Sequence, residues 1–211
     1  IDTNSTTTNR ADITLGAVTG GSNTLTLTTE NNIANADITA SGAIGGVTTL
    51  TLASVGGTAT LSGDVDVTTL TVGSTVANVA FTGDGSSVTS AVSFANDGTL
   101  TLGTSGGTQT YNAGLTTTSV GSTVTLNGTI ASSDDAIVLG AVTLGSTTII
   151  DTNSTTTNRA DITIAAITGG SNTLTLTTEN NITGSDVTAS GNITGVTTLT
   201  LASVGGTATL S

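Results

Sequence analysis

The decapeptide NTLTLTTENN fills residues 23–32 and occurs again, letter for letter, at residues 172–181. In the first copy, Leu25 and Leu27 are separated by one residue and flanked by threonines. Because alternate residues of a β-strand point to opposite sides, the decapeptide predicts a strand with its leucines inward and its threonines outward. The Glu-Asn-Asn that follows is typical of a turn.

The decapeptide belongs to a longer internal repeat, in which residues 1–62 align with residues 150–211 without a gap. The two copies differ at nine positions, and the apolar positions among these stay apolar. An unchanged length indicates a stacked structure, in which every unit must keep its register. We therefore predict that residues 1–211 form one continuous segment. Residues 1–149 are one full higher-order repeat, and residues 150–211 begin the next.

A shorter period lies inside the long one, because pairs of apolar residues recur at a spacing of about 21 residues along two series. The first series contains Ala59/Leu61, Val79/Phe81, Leu100/Leu102, Val124/Leu126, Val142/Leu144 and Ile162/Ile164. The second series contains Leu50/Leu52, Leu70/Val72, Val92/Phe94, Leu115 and Ile137/Leu139, and Val65/Val67 suggests a third in places. These ladders predict an all-β, right-handed parallel β-solenoid (β-helix) of about ten coils, with about seven coils per long repeat, stacked about 4.8 Å apart.

The composition favours this narrow architecture over a broad globule, a sandwich or a disordered chain. Aromatic residues make up only 1% of the chain and Pro is absent, so the small side chains suit a thin core. A mean hydropathy of +0.30 argues against disorder. Antiparallel sandwiches also have short, regularly spaced strands, but they rarely keep so even a period over so many turns.

Charge and residue content exclude several functions. The net charge of −12 leaves no basic surface for nucleic acid or for an anionic membrane. Without His or Cys, the chain cannot build a Ser-His-Asp or Cys-His nucleophile, and Tyr111 stands isolated, so we expect no enzyme. A polysaccharide-active carboxylate pair is a minor alternative. No apolar run is long enough to span a bilayer. Ile1 begins in mid-pattern without a signal peptide, so we expect a segment of a longer protein.

The stretch SNTLTLTTENNITGSDVTASGNITGVTTLTL, residues 171–201, resembles the repeat regions of large bacterial surface proteins. These are the β-strand-repeat adhesins, which include filamentous-haemagglutinin-like proteins and autotransporter passengers. The resemblance covers the whole chain and is one of composition and rhythm. It implies a protein secreted by a bacterium, located at the cell surface, and acting as a filament or adhesin stalk in fibre or biofilm-matrix formation. The implied partners are further copies of the chain. The alternative function is a glycan- or receptor-binding region that contacts cell-surface or matrix glycans.

Two candidate binding surfaces follow from the outward positions. Asp64 and Asp66 share the outward side of a strand, and Asp84 comes one coil after Asp64, where it should stack over it. Oxygen ligands of this kind could bind Ca²⁺, which would be the chain's one cofactor, although aspartates at solvated turns are common. Outward threonine rows could order water as an ice-binding plane, although threonine is also an ordinary outward strand residue. The predicted rows contain Thr24, Thr26, Thr28, Thr49 and Thr51.

The nonapeptide DTNSTTTNR, at residues 2–10 and 151–159, interrupts the apolar pattern. A strand is expected near residue 156, yet no apolar pair is there, so the segment forms either a polar strand or an outward loop. Each copy carries the only basic residue of its repeat, followed two positions later by an aspartate. These pairs are Arg10 with Asp12 and Arg159 with Asp161. A surface ion pair is the simpler interpretation. The alternative hypothesis is a contact between neighbouring rods, in which the arginine meets an acidic surface.

Overall fold

The computed structural model describes residues 1–6, 9–30, 33–153, 158–179 and 182–211. Every regular element in these ranges is a β-strand, and neighbouring strands pair in parallel as one continuous sheet. The chain winds into a β-solenoid of about eight turns, with stacked positions about 22 residues apart. The predicted parallel solenoid is confirmed, with coils that are slightly larger and fewer than the sequence series predicted. Its right-handed sense stays a prediction from the general handedness of parallel crossovers.

Eighteen strands follow one another along the described chain. The first six are β1 Ile13–Leu15, β2 Val18–Leu27, β3 Ile38–Ala40, β4 Ile44–Leu61, β5 Val65–Phe81 and β6 Ser87–Val88. The next six are β7 Val92–Ser93, β8 Leu100–Leu102, β9 Thr108–Tyr111, β10 Leu115–Thr116, β11 Val124–Ser132 and β12 Ile137–Asp151. The last six are β13 Ile162–Thr168, β14 Thr173–Thr177, β15 Val187–Ala189, β16 Ile193–Thr194, β17 Thr198–Ala202 and β18 Ala208–Leu210.

Each coil has three sides, which we call faces A, B and C in the order in which the chain crosses them. Face A stacks Ile13, Ile38, Ala59, Val79, Leu100, Val124, Val142, Ile167 and Ile193. Face B stacks Thr19, Gly45, Asp66, Ser87, Thr110, Ala131, Asp151, Thr177 and Ala202. Face C contains the stack Leu25, Leu50, Leu70 and the stack Val92, Leu115, Ile137, Ile162, Val187, Ala208. The third series suggested by the sequence is therefore a complete face.

The sequence repeat and the coil do not stay in phase. Ile13 lies on face A, but its counterpart in the second copy of the repeat, Ile162, stacks on Ile137 of face C. Val142, which the sequence series placed before Ile162, stacks on Ile167 instead. The long repeat is thus one face short of seven coils. The strand registers give six and two-thirds coils per repeat in place of the predicted seven.

Local turn geometry explains how so many short strands close into coils. At the corner between faces A and B, Gly42, Gly63 and Gly83 lie over one another in successive coils. A Cβ on Gly63 would approach the carbonyl carbon and oxygen of Gly42 to 2.3 Å, and one on Gly83 would approach the Gly63 oxygen to 2.2 Å. Only glycine permits the coils to come this close.

The core is a thin column of stacked aliphatic side chains with one aromatic level near its middle. Phe81 comes from face A, Tyr111 from face B and Phe94 from face C, and all three are buried. The Tyr111 ring lies edge-on to both phenylalanines, with centroid distances of 6.3 and 6.4 Å. The Tyr111 hydroxyl donates to Gln109 Oε1 at 3.1 Å, and Gln109 Nε2 donates to the Phe81 carbonyl at 2.9 Å. Tyr111, predicted to be isolated, is therefore the centre of a core cluster.

Candidate functional site

The described residues that follow Asp2 and Asp151 in the two DTNSTTTNR segments belong to corners and not to strands of the core. We call residues 3–12 loop 1 and residues 152–161 loop 2. The start of loop 1 is hydrogen-bonded to the neighbouring coil, because Thr3 donates its backbone N–H to the Thr28 carbonyl at 3.3 Å. It then turns outward, with Thr6 and Asn9 bridged in antiparallel fashion. The outward-loop interpretation is confirmed for the described part of loop 1, whereas the expected strand near residue 156 falls outside the described residues.

The enlarged corner explains why the sequence series assigned Ile162 to the wrong stack. The distance in sequence from Val142 to Ile162 equals an ordinary coil, so spacing alone joined them. In the structure, loop 2 lengthens the corner between Asp151 and Ile162, and the step on face C runs from Ile137 to Ile162. Leu139 consequently stacks directly on Ile164, and no polar strand is needed between them.

Each arginine pairs with the aspartate two positions further along. Arg10 lies 3.4 Å from Asp12, and Arg159 lies 3.8 Å from Asp161. The arginine side chains are 52% and 59% exposed, so solvent screens the pairs and each contributes under about 1 kcal/mol. The predicted surface ion pairs are thus present, and the guanidinium groups retain open sides toward solvent. Contact between rods remains a hypothesis.

The aspartates of these pairs also hold neighbouring coils together. Asp12 Oδ1 accepts the backbone N–H of Asp37 at 2.9 Å, and Asp37 Oδ1 accepts the N–H of Thr58 at 2.7 Å. The second copy repeats this arrangement, since Asp161 accepts from the N–H of Asp186 at 2.9 Å. These carboxylates therefore have a structural role that the sequence did not indicate.

A pair of carboxyl groups beside each loop was also missed by sequence reasoning. Asp2 and Glu30 come from successive coils, and the Asp2 charge raises the pKa of Glu30, aided by a hydrogen bond between the two side chains. In the second copy the pKa of Asp151 is raised, first by burial and also by the nearby Glu179 carboxylate. The enlarged corner was the feature that pointed to this carboxyl pair. Asp2 and Glu30 come together only because Asp2 stacks on Thr28, which is further along the sequence than in an ordinary coil.

The predicted calcium site does not form a cluster of ligands. Asp64, Asp66 and Asp84 are exposed, and Asp84 Oδ1 accepts the backbone N–H of Thr108 at 2.9 Å. No group of three or more acidic side chains within the described ranges is arranged to hold a metal ion. The structure therefore shows a turn-stabilising hydrogen bond for Asp84, and the calcium-ligand role of the three aspartates stays a prediction.

Threonine rows are present, but the longest one lies on a different face from the predicted rows. Thr24 and Thr26 stack on Thr49 and Thr51 as predicted, whereas the Thr28 hydroxyl donates to the Ser54 carbonyl at a corner. The T-x-T array continues to Thr69 and Thr71 and spans three coils, about 10 Å of axis. The longer row runs along face A as Thr14, Thr39, Thr60, Ala80, Thr101, Thr125, Thr143, Thr168 and Thr194. The structure thus has one long row with short two-row patches, and ice binding stays a prediction.

The outer surface has few groups that could bind a small ligand. All three aromatic side chains of the sequence are buried, so none is available to stack on a sugar ring. An open groove of about 430 Å³ is lined by small residues that include Ser22, Thr48, Thr68 and Asp66. The described strands and turns include no helix that could cross a membrane.

No protein-family model matches the sequence. Comparisons with curated proteins and with solved structures likewise find no similar protein.

Proposed function

We propose that the chain is a structural segment of a long extracellular filament or adhesin stalk. The observation that carries the proposal is the stacking of parallel strands on three faces, which is continuous on faces A and B along the described chain. No metal cluster or exposed aromatic platform in the described ranges interrupts this stacking or supplies an obvious chemical site. A rod of this kind acts by its length and stiffness.

The arrangement of hydrogen bonds supports a mechanical role. In a solenoid the backbone hydrogen bonds between coils run parallel to the long axis, so each coil is joined to the next on every face. Nine stacked positions on face A give a rod about 40 Å long at about 4.8 Å per coil. Three ladders around one core resist bending in all directions, because bending must open the ladder on the convex side.

The surface also suits a hydrated extracellular thread. Outward strand positions are dominated by threonine, serine, glycine and a few acids, and the whole chain carries 14 acidic residues against two basic ones. The excess of negative charge keeps the rods soluble and disfavours contacts that lack a basic group. The two exceptions to this acidic surface are the arginines of loops 1 and 2.

Immunogold electron microscopy on the source cells tests the proposal. Antibodies against the purified chain should label fibres or a coat outside the cells, and sections should show little label inside. Negative-stain images of the purified protein should show straight rods. Label confined to the cytoplasm, or purified particles that are round, would overturn the proposed function.

A further inference from the structure

The phase difference between repeat and coil determines where the two loops lie on the rod. Loop 1 follows Asp2, which pairs with Thr28 on face C, and leads to Ile13 on face A. Loop 2 follows Asp151 on face B and leads to Ile162 on face C. Identical sequence segments therefore occupy different corners of the triangular rod. The second is turned by one face, a third of a turn, and displaced by about 32 Å along the axis.

The loops carry an unusual combination of charges for this chain. Each has one guanidinium group, and these two are the only basic side chains in the sequence. Beside each loop, two acids come from stacked coils: Asp2 pairs with Thr28, two residues before Glu30, and Asp151 pairs with Thr177, two residues before Glu179. A planar guanidinium bridges two carboxylate groups well, because its N–H groups diverge. Each loop is therefore a self-complementary patch, with a donor and an acceptor side.

We propose that the arginine beside each carboxyl pair, Arg10 or Arg159, meets the corresponding carboxyl pair of a second copy of this chain, Asp2 with Glu30 or Asp151 with Glu179. The contact is reciprocal, since each patch supplies both charges, and such an isologous contact closes after two patches have met. Because loops 1 and 2 face different directions, one rod binds neighbours on two sides. This inference rests on the proposed function, since it describes how rods of such a filament associate.

The number of loops per rod makes a quantitative prediction. A rod with both arginines should form larger assemblies than a rod with one arginine, and a rod with neither should stay single. The variants Arg10→Gln and Arg159→Gln each leave one loop intact, and the double variant leaves none. Thr118→Asp is the matched control, because it gives the same change in net charge as the loss of one arginine at an exposed site outside both loops.

Sedimentation velocity at low ionic strength measures the assemblies. We expect the largest oligomers for the native chain and for Thr118→Asp, smaller oligomers for each single variant, and single rods for the double variant. Raising the salt concentration should dissociate all of the assemblies, because surface ion pairs are screened. A native chain that stays single, or single variants that assemble like the native chain, would overturn the inference. Neither result would affect the immunogold test of the proposed function.

A mixing experiment identifies the partner of the arginines. The variant Glu30→Gln/Glu179→Gln keeps both arginines and weakens both carboxyl pairs, whereas Arg10→Gln/Arg159→Gln does the reverse. Each should remain single alone, and their mixture should form mixed assemblies, because one supplies arginines and the other supplies carboxyl groups. A mixture that remains single while the native chain assembles would show that the arginines bind some other surface.

Discussion

At the residue scale, the closest approach between coils depends on glycine. Gly63 lies against the Gly42 peptide, where a Cβ would come within 2.3 Å of backbone atoms that cannot move aside easily. We expect Gly63→Ala to lower the free energy of unfolding by about 1–3 kcal/mol, as overpacking does. Denaturant unfolding followed by circular dichroism measures the change.

The control for this substitution is available in the sequence itself. Gly45 has open space around its Cβ position, and the equivalent residue of the second copy is Thr194. Gly45→Ala should leave the free energy of unfolding unchanged or raise it by a few tenths, up to about 1 kcal/mol, because it restricts the unfolded chain. Equal losses of stability for Gly45→Ala and Gly63→Ala would contradict the stacking of glycines at this corner.

Tyr111 provides a second test at this scale. Burial raises its pKa far above the ordinary value of 10.0. The unfolded chain therefore loses the phenolic proton above about pH 10 while the folded chain keeps it, so unfolding releases a proton and stability must fall as the pH rises. The fall should approach about 1.4 kcal/mol per pH unit. Because the chain has no Lys or Cys, no other side chain titrates in this range.

Unfolding by denaturant at several pH values above 9 measures this slope. The variant Tyr111→Phe should be less stable by about 1–3 kcal/mol at neutral pH, because Gln109 loses a buried donor, and its stability should be flat with pH. Phenolate absorbance that develops at the ordinary pKa while the native chain is still folded would show that Tyr111 is accessible to water.

At the scale of single elements, strands are held in register by carboxylates at the corners as well as by the apolar ladders. Asp37 accepts the backbone N–H of Thr58, and one coil further on Asn78 Oδ1 accepts the N–H of Thr99 at 2.9 Å. We expect Asp37→Ala to destabilise the rod by about 1–2 kcal/mol, because a partly buried N–H loses its acceptor. Asp37→Asn keeps the acceptor and should cost less, as the natural Asn78 indicates. Equal losses for the two variants, measured by denaturant unfolding, would count against this role.

The elements also show which parts of the fold the sequence could predict. Faces A and C have inward residues that are almost all aliphatic, so their spacing predicted the strands from Leu50 to Ile137. On face B the inward positions include Ser86 and Gln109, which are buried polar residues, and hydrophobic spacing could not detect a continuous ladder there. The size of each corner could not be predicted from the sequence either. An enlarged loop such as loop 2 changes the number of residues between stacked strands but leaves the pattern within the strands unchanged.

The candidate site was predictable only in part. The arginine–aspartate pairs of the two loops could be found because they lie two residues apart in a segment that breaks the apolar pattern. The carboxyl pair of Asp2 and Glu30 could not, because it depends on which coil lies beneath which. Of the predicted calcium ligands, Asp64 and Asp66 lie on one coil and Asp84 on the next, where Asp84 accepts a hydrogen bond from the Thr108 backbone.

At the scale of the whole molecule, the mismatch between the sequence repeat and the coil determines the symmetry of the rod. A repeat of seven coils would place every copy of a loop on one side, and rods would pair along one edge. A repeat of six and two-thirds coils turns each copy by one face, so the loops are distributed around the axis. This difference decides whether rods can associate on one side only or on several.

Engineered disulfides test this central claim most directly, since the chain has no native cysteine. Val138 and Thr163 are stacked neighbours on face C, and Cα atoms of adjacent strands are about 4.8 Å apart, within the range that a disulfide bridges. We predict that Val138→Cys/Thr163→Cys cross-links efficiently under mild oxidation. Thr143→Cys/Thr163→Cys should not cross-link, because Thr143 stacks on Thr168. A seven-coil repeat requires the reverse, so cross-linking of the second pair and not of the first would contradict the account.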